Sequence, residues 1–369
     1  MKLSLPQLKD VIYNYVDENE IASTSFSVTR NNVAELLDKI GKIFTIDAPF
    51  VDKLSVFDGE ELSYGKTIEE WYQDLPLAQD YDPSGANAHS PTDPTYRPAS
   101  YSYTLGRKKI PITIRNNNLE RAVHNAEQLS ELLSTETKRM YDSYALFKYQ
   151  AKKEIVAKMI ARADSEMSST TAWASATARN VNDLIADSGK HYIVVKKYLG
   201  TEGYTIAQAI ANGVVVELNL TQEIAVPVDE TTSDAFILQV KKDVEEASFA
   251  TEGHSLNGNT VGIVEESLVL LVKKGVVPTI EVESLAGAFH EDKVAIPCKV
   301  IVVDDFGSDE SGAYAVLCDK RAIRLHPTYT AVRENMNGDG DFLNLFLHTE
   351  NTAFYSLNTF LKVYKEVSE

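Results

Sequence analysis

Apolar or small side chains fall at Leu129, Leu133, Met140, Tyr144, Phe147, Ala151, Ile155 and Met159, with no Pro or Gly between them. That three-and-four spacing marks one helical face and predicts a single helix over 126–164, roughly 58 Å long at about 1.5 Å per residue. Shorter stripes predict helices over 6–16 and 32–44, the latter with Leu36, Leu37, Ile40 and Ile43 on one side, and over 172–186, 205–211, 233–247 and 282–289. From 191 to 332 short β-rich runs, YIVVKK, GVVVELNL, SLVLLVKK, KVIVVDDF and AYAVLC, alternate with the last three of these. The alternation predicts an α/β sub-domain with a mixed sheet. Residues 61–71 and 101–114 alternate as strands do, and between them stand Pro76, Pro83, Pro91, Pro94 and Pro98, five of the twelve prolines. Proline lacks the donor that a helix or sheet interior needs, so 76–98 is expected to be a loop. A loop longer than about 15 residues inside a compact domain is usually functional or disordered. The pattern is a two-stranded finger, too small to be stable alone and expected to lie on a partner. Residues 341–364, rich in β-branched and aromatic types, are expected to return as strands to the first body.

Composition alters this picture in two ways. At 369 residues the chain exceeds what one core usually serves, so two or more sub-domains are expected. Its formal charge of -18 gives no global basic footprint, which leaves sequence-specific nucleic-acid binding little support. Against that background the long helix is locally basic: Lys138, Arg139, Lys148, Lys152, Lys153, Lys158 and Arg162 outnumber the carboxylates along it, among them Glu131, Glu136, Asp142, Glu154 and Asp164. Such a ridge is either a solvated face or a seat for an acidic partner. The first residues, MKLSLPQLKD, lack an apolar signal core, and the longest aliphatic run, 268–272, is too short to span a bilayer. A cytoplasmic product is expected. Cys298 and Cys318 each sit in a β-like segment and are expected to be buried free thiols, a disulfide between neighbouring strands being the alternative.

Motifs that carry chemistry fail on spacing. Gly65-Lys66-Thr67 has Glu60 where a phosphate loop needs its first glycine, and it precedes a β-like run. Residues 335–346 place Asn335, Asn337, Asp339 and Gly340 as a calcium loop would, but the twelfth position is Phe346 instead of Glu, so a turn is expected. The histidines show no helical metal spacing, and two cysteines give no zinc framework. No nucleophile elbow or dinucleotide fingerprint occurs. His290, Glu291 and Asp292 are merely adjacent. No catalytic, cofactor or metal site is expected. The chain reads as a structural protein; an α/β enzyme with a pocket between the sheet sub-domain and the helical body is the alternative in another class.

Two stretches, FDGEELSYGKTIEEWYQDLPLAQDYDP and SLVLLVKKGVVPTIEVESLAGAFHEDKVAIPCKVIVVDDF, together with the order of the elements, resemble the major capsid proteins of tailed bacteriophages. The similarity is greatest to those of small podoviruses of Gram-positive hosts. The resemblance implies the α+β tailed-phage major capsid fold: an N-terminal arm (1–45), an extended β-hairpin loop (46–117), a peripheral domain with a long spine helix (118–200), an axial α/β domain (201–326) and C-terminal strands returning to the peripheral domain (327–369). It implies a subunit that assembles with itself into hexameric and pentameric rings, in an icosahedral or prolate shell around double-stranded DNA, with no sequence-specific DNA contact and no membrane. Scaffolding and portal proteins are further partners it implies, and the virion is the location, after synthesis in the host cytoplasm. An encapsulin-like nanocompartment shell is the alternative within the same fold. Head-to-tail rings need two complementary surfaces on each subunit. Arg107, Lys108 and Lys109, with Lys148 and Lys152 of the ridge, can supply one sign of charge. Glu60, Glu61, Glu69, Glu70 and Asp74 can supply the other, with Trp71, Tyr72 and Leu75 as apolar contacts. Exposed ion pairs of about 0 to 1 kcal/mol each would set register more than affinity.

Overall fold

A computed structural model of the chain describes residues 50–63, 65–73, 83, 96–99, 102–115, 126–168, 170–249, 251–256, 259–260, 262–263, 265–277, 296–307, 312–337, 339–340 and 342–367. In chain order its strands and helices are β1 (Glu70–Gln73), β2 (Tyr96–Ala99), β3 (Ser102–Arg115), α1 (Ala126–Ser168), β4 (Thr171–Ala172), β5 (Leu184–Asp187), β6 (Lys190–Val194), α2 (Ile206–Ala211), β7 (Val215–Glu217), β8 (Thr221–Glu223), α3 (Glu230–Ser248), β9 (Thr251–Glu252), β10 (Asn259–Thr260), β11 (Leu268–Lys273), β12 (Lys299–Val303), β13 (Ala313–Asp319), β14 (Ile323–Asn337), β15 (Phe342–Tyr355) and β16 (Leu361–Lys365). Helices and sheets are mixed in the α+β manner. The chain divides into one unit of Met1–Lys66, Thr104–Lys152 and Leu325–Thr352, and a second of Thr67–Tyr103, Lys153–Arg324 and Ala353–Glu369.

The first unit holds most of a three-stranded sheet in the order β14-β15-β3. Along β15 the side chains alternate: Leu343, Leu345 and Leu347 are buried, while Asn344, Phe346 and His348 are half-buried. This period of two gives the sheet one apolar face and one outer face. The β14 to β15 connection is closed by Asn337, whose side-chain oxygen accepts from the backbone N–H of Asp339 at 3.0 Å and of Gly340 at 2.9 Å. The segment with partial calcium-loop spacing is therefore a hairpin turn built on an Asx bond.

The second unit is built around a mixed five-stranded sheet, β12-β11-β13-β16-β8. β11 pairs parallel with β12 and antiparallel with β13, and β16 pairs antiparallel with β13 and parallel with β8. Leu268–Val272 and all of β13 are buried, the unbroken apolar run of a strand covered on both faces. Helix α3 lays Phe236, Ile237, Val240, Val244 and Ala247 on Leu268, Leu270, Val272, Leu317 and Tyr364. Its start is fixed by Asp229, whose carboxylate accepts from Thr232 N–H at 2.8 Å while Thr232 Oγ1 accepts from Asp229 N–H at 3.1 Å, a reciprocal cap. Cys298 is half-buried and Cys318 buried, and both are free thiols; burial pushes Cys298 up to about 11.

A polar group is enclosed in this core. His254 is fully buried, stacked 4.7 Å from Phe360, with Nε2 3.4 Å from Glu246. Lys362, also fully buried, donates to the Asn219 carbonyl at 3.1 Å, and Asp243 accepts from Tyr364 Oη at 2.6 Å. Gly253 brings the chain there with φ +85°; a Cβ at this position would stand 2.0 Å from the Glu217 carbonyl oxygen, so no other residue fits. Burial, then the Lys362 ammonium, hold the His254 pKa below its ordinary value, against the pull of Glu246. The unfolded chain therefore takes up a proton near pH 6.5 that the folded chain still refuses. Stability contributed by neutral His254 is present above about pH 6.5 and is lost as the pH falls through the depressed folded value, at up to about 1.4 kcal/mol per pH unit. Urea melts of wild type and His254→Gln between pH 7 and pH 5 check this: the slope of stability on pH is expected to be shallower in the variant.

A second, smaller sheet, β4-β5-β6-β7, carries α2 and has its own core of Ile185, Tyr192, Val194, Tyr198 and Val215. Trp173 and Tyr204 flank the Tyr198 ring at 5.2 and 5.7 Å. Here the expected helix over 172–186 is absent. Asn182 and Ser188 adopt φ of +73° and +52°, Asp183 accepts from Asn180 N–H at 2.8 Å, and the chain turns from β4 into β5. The local bond of the Asp183 side chain and the left-handed backbone of Asn182 outcompeted the helical spacing of the alanines.

Two strand assignments also change. The finger's partners are β1 and β2, with Glu70 opposite Ala99 and Gln73 opposite Tyr96, so the return strand begins inside the proline-rich stretch. Pro98 is tolerated because a two-stranded ribbon leaves outer edges that need no donor. The strand expected to return, β3, joins β15 instead. Of the C-terminal strands, β15 lies with β3, whereas β16 enters the five-stranded sheet between β13 and β8. The stretches 6–16, 32–44 and 282–289, and the His290, Glu291, Asp292 group, lie outside the described residues.

Candidate assembly surface

The long helix is present over Ala126–Ser168, and its buried side chains include Met140, Ala151, Ile155, Met159, Ile160 and Ala163. The basic ridge is largely neutralised within the chain. Lys152 is fully buried and spends its three ammonium donors on Asp52 Oδ2 at 2.6 Å, Asp58 Oδ1 at 2.5 Å and the Leu54 carbonyl at 3.1 Å. Leu54 and Phe57, on either side of this anchor, are themselves fully buried. Lys148 reaches Asp58 Oδ2 at 3.5 Å. Lys153 bridges Asp304 and Asp305 at 2.8 Å each, Lys158 pairs with Glu154 at 3.0 Å and covers the Tyr103 ring at 4.0 Å, and Arg162 pairs with Glu166. Lys152, expected as an inter-subunit contact, is thus a strut inside its own subunit. Its partners lie about a hundred positions away in sequence, where no local pattern points to them.

On the finger, Glu69 is exposed, but Glu70 accepts from Ser356 Oγ at 2.8 Å and Asn358 Nδ2 at 3.0 Å. Glu70 therefore anchors the base of the ribbon in its own subunit. Trp71 and Tyr72 belong to β1, and their side chains, like Leu75 as a whole, lie outside the described residues.

Strand β3 sorts the basic triplet by the two-residue period. Arg107 and Lys109 share the outer face with Thr113, which donates to Asn344 Oδ1 at 2.7 Å. Lys108 points to the other face and is exposed. Arg107 lies 4.6 Å above the Tyr329 ring with Nη2 3.5 Å from Glu350 Oε2, and Lys109 lies 5.5 Å above the Phe346 ring. Lys66 caps Glu350 from the loop that carries the failed phosphate motif. Its ammonium, helped by Arg107, holds the Glu350 carboxyl below the usual carboxylate range. Tyr329, Phe346 and Glu350 were missed by sequence reasoning; the alternation of Phe346 and His348 with three buried leucines was the available signal.

Among the described residues no group of His, Cys, Asp and Glu is disposed to hold a metal ion, and no helix is long and apolar enough to cross a membrane.

Against known proteins the chain is 20% identical over 318 residues to the major capsid protein of Bacillus phage GA-1, covering 85% of this chain and 56% of the relative; the chain spans about half the length of the curated relative it matches. Its fold is similar to a chain of the capsid structure of Staphylococcus phage Andhra, with TM-score 0.58 at 10% identity over 88% of this chain and 86% of that one. It is similar also to a chain of the capsid structure of cyanophage P-SCSP1u, with TM-score 0.51 at 8% identity over 95% and 100%. At such identities these likenesses show the fold, the capsid fold of tailed phages. The sequence itself matches the family model of the Phi29-like phage major capsid protein over residues 13–363, and the chain belongs to that family.

Proposed function

We propose that the chain is the shell-forming subunit of a tailed phage head, assembling with copies of itself into pentameric and hexameric rings that enclose double-stranded DNA. The observation that carries this reading is the family match across residues 13–363, which takes in elements of both units. In this reading residues 1–45 are an arm, 46–117 the extended loop, 118–200 the spine domain, 201–326 the axial domain and 327–369 the returning strands. The β1–β2 ribbon reaches over the adjacent subunit, anchored at its base by Glu70. Scaffolding and portal proteins are the further partners, and the virion is where the protein resides after synthesis in the host cytoplasm. Of the expected contact residues, Lys152 and Glu70 are engaged inside the subunit, while Glu69, Lys108 and Lys109 keep exposed charge for a neighbour. Electron microscopy of the expressed chain, alone and with candidate scaffolding protein, tests the reading. Closed spherical or prolate shells are expected, and a protein that remains a compact monomer under all conditions overturns it. Shells filled with protein cargo instead of DNA would point to a nanocompartment.

A further inference from the structure

The link from β7 to β8, residues 218–220, is where the small sheet runs into the five-stranded one, and main-chain bonds hold it from both sides. Leu218 N–H donates to the His191 carbonyl of β6 at 2.8 Å, Asn219 N–H donates to the Gly253 carbonyl at 2.7 Å, and the Leu220 carbonyl accepts from Val363 N–H of β16 at 2.8 Å. One side chain joins them: Lys362, fully buried, donates to the Asn219 carbonyl. The 253–256 turn is pinned against this link. Gly253 lies so close to the Glu217 carbonyl that only glycine fits, and the next residue, His254, accepts at its carbonyl from Leu361 N–H at 3.0 Å.

The His254 ring is held by stacking on Phe360, and its Nδ1 is buried without a hydrogen-bond partner among the described residues. Such a site favours the neutral imidazole. The charged groups around the ring decide what a proton does there. From β16 comes the Lys362 ammonium. From α3 come Glu246, 3.4 Å from Nε2 and 49% exposed, and Asp243, whose oxygens already accept from Gln239 at 2.9 Å and Tyr364 at 2.6 Å. From the end of β7, Glu217 is turned to Lys190 at 2.8 Å. An imidazolium is therefore repelled by Lys362 and attracted to Glu246, at the solvent edge.

We propose that His254 is a proton-operated latch on the 218–220 link. Neutral, it lies on Phe360 and keeps the 253–256 turn pressed on the link; protonated, it is drawn towards Glu246 and water, the turn leaves the core, and Asn219 loses its bonds to Gly253 and Lys362. The small sheet is then free to shift against the five-stranded one while each keeps its own core. The device belongs to a single subunit and does not depend on the shell reading.

Hydrogen exchange followed by mass spectrometry on the full chain, with intrinsic rates corrected for pH, tests the latch. Between pH 7 and pH 5.5 protection of 217–220 and 253–256 is expected to fall about tenfold, a decade for the one pH unit below the ordinary histidine value of about 6.5, while β11 and β13 keep theirs. His254→Gln abolishes the fall. The other imidazole beside the link, His191, lies 3.2 Å from Thr170 Oγ1, and His191→Gln leaves the fall in place. Should His254→Gln not fold, the wild type decides alone: a fall spread evenly over the link, β11 and β13 is global unfolding and overturns the latch. Unchanged protection at the link overturns it too, as does a fall that His191→Gln removes and His254→Gln keeps.

Discussion

Lys152→Ala is expected to cost about 3–5 kcal/mol, whereas Lys153→Ala, one residue along the same helix, costs about 1 kcal/mol or less. The difference lies in solvation. Lys152 has no exposed side-chain surface and Asp52 only 9%, so removing the cation leaves a carboxylate desolvated and without its ion partner. Asp52 keeps one bond, from Leu54 N–H at 2.9 Å, which is too little to replace an ammonium at 2.6 Å. Lys153 pairs with Asp304 and Asp305, which are 47% and 44% exposed, and water takes over when it is removed. The loss at Lys152 should also release the 51–58 segment, since its ammonium bonds Asp52, Leu54 and Asp58 together. Thermal melts are expected to show Lys152→Ala lowered by roughly 10 °C and Lys153→Ala by a degree or two. A double variant, Lys152→Met with Asp52→Asn, should recover part of the loss, because it deletes both charges and avoids stranding one. Equal shifts for the two single variants would mean that the strut is solvated and the buried arrangement wrong.

This pair also shows where sequence reasoning reached its limit. The helix was legible because its signal is local: apolar residues recur every three or four positions and nothing breaks them. The roles of the lysines on it were not, because burial of Lys152 depends on Asp52 and Asp58, which the helical period cannot locate. The same division holds elsewhere. Leu268–Val272 and 313–318 announced buried strands by being apolar throughout, and α3 announced itself by its stripe. Residues 172–186 were misread because alanine spacing speaks for a helix while the turn is decided by the bond from Asn180 N–H to the Asp183 side chain and by the left-handed backbone of Asn182. The partner of β3 was misassigned because alternation tells that a strand has two faces but not which strand lies beside it. For the assembly surface, charge was legible and its availability was not. Of the basic residues singled out, Lys152 proved buried, and the period of two divided Lys109 from Lys108.

Replacing residues 74–95 with Asn-Gly should leave a folded subunit that cannot close shells. The excision is compatible with the ribbon, since Gln73 and Tyr96 face each other at its last described pair and a two-residue turn can join them. Elements elsewhere in the chain keep their cores: among the described residues, the α3 contacts with the five-stranded sheet and the Lys152 strut are made by residues outside the excision. The melting temperature is therefore expected to stay within a few degrees of wild type. Assembly loses far more. The excised stretch carries Asp74, Asp80, Asp82 and Asp93 with no Lys or Arg, a block of negative charge that the shell-subunit reading offers to a neighbour. It also carries Leu75, Leu77 and Tyr81, and burying a large apolar side chain contributes about 1.5–3 kcal/mol. A ring contact that loses both terms at every subunit interface drops below what closure requires, and electron microscopy should show monomers or open fragments in place of shells. The deletion separates two roles that a sequence alone leaves merged, a loop that stabilises its own subunit and a loop that joins subunits. Unfolding of the variant would establish the first; normal shells would refute the second; folded subunits without shells are the outcome that the reading of 46–117 as an extended loop over the adjacent subunit requires.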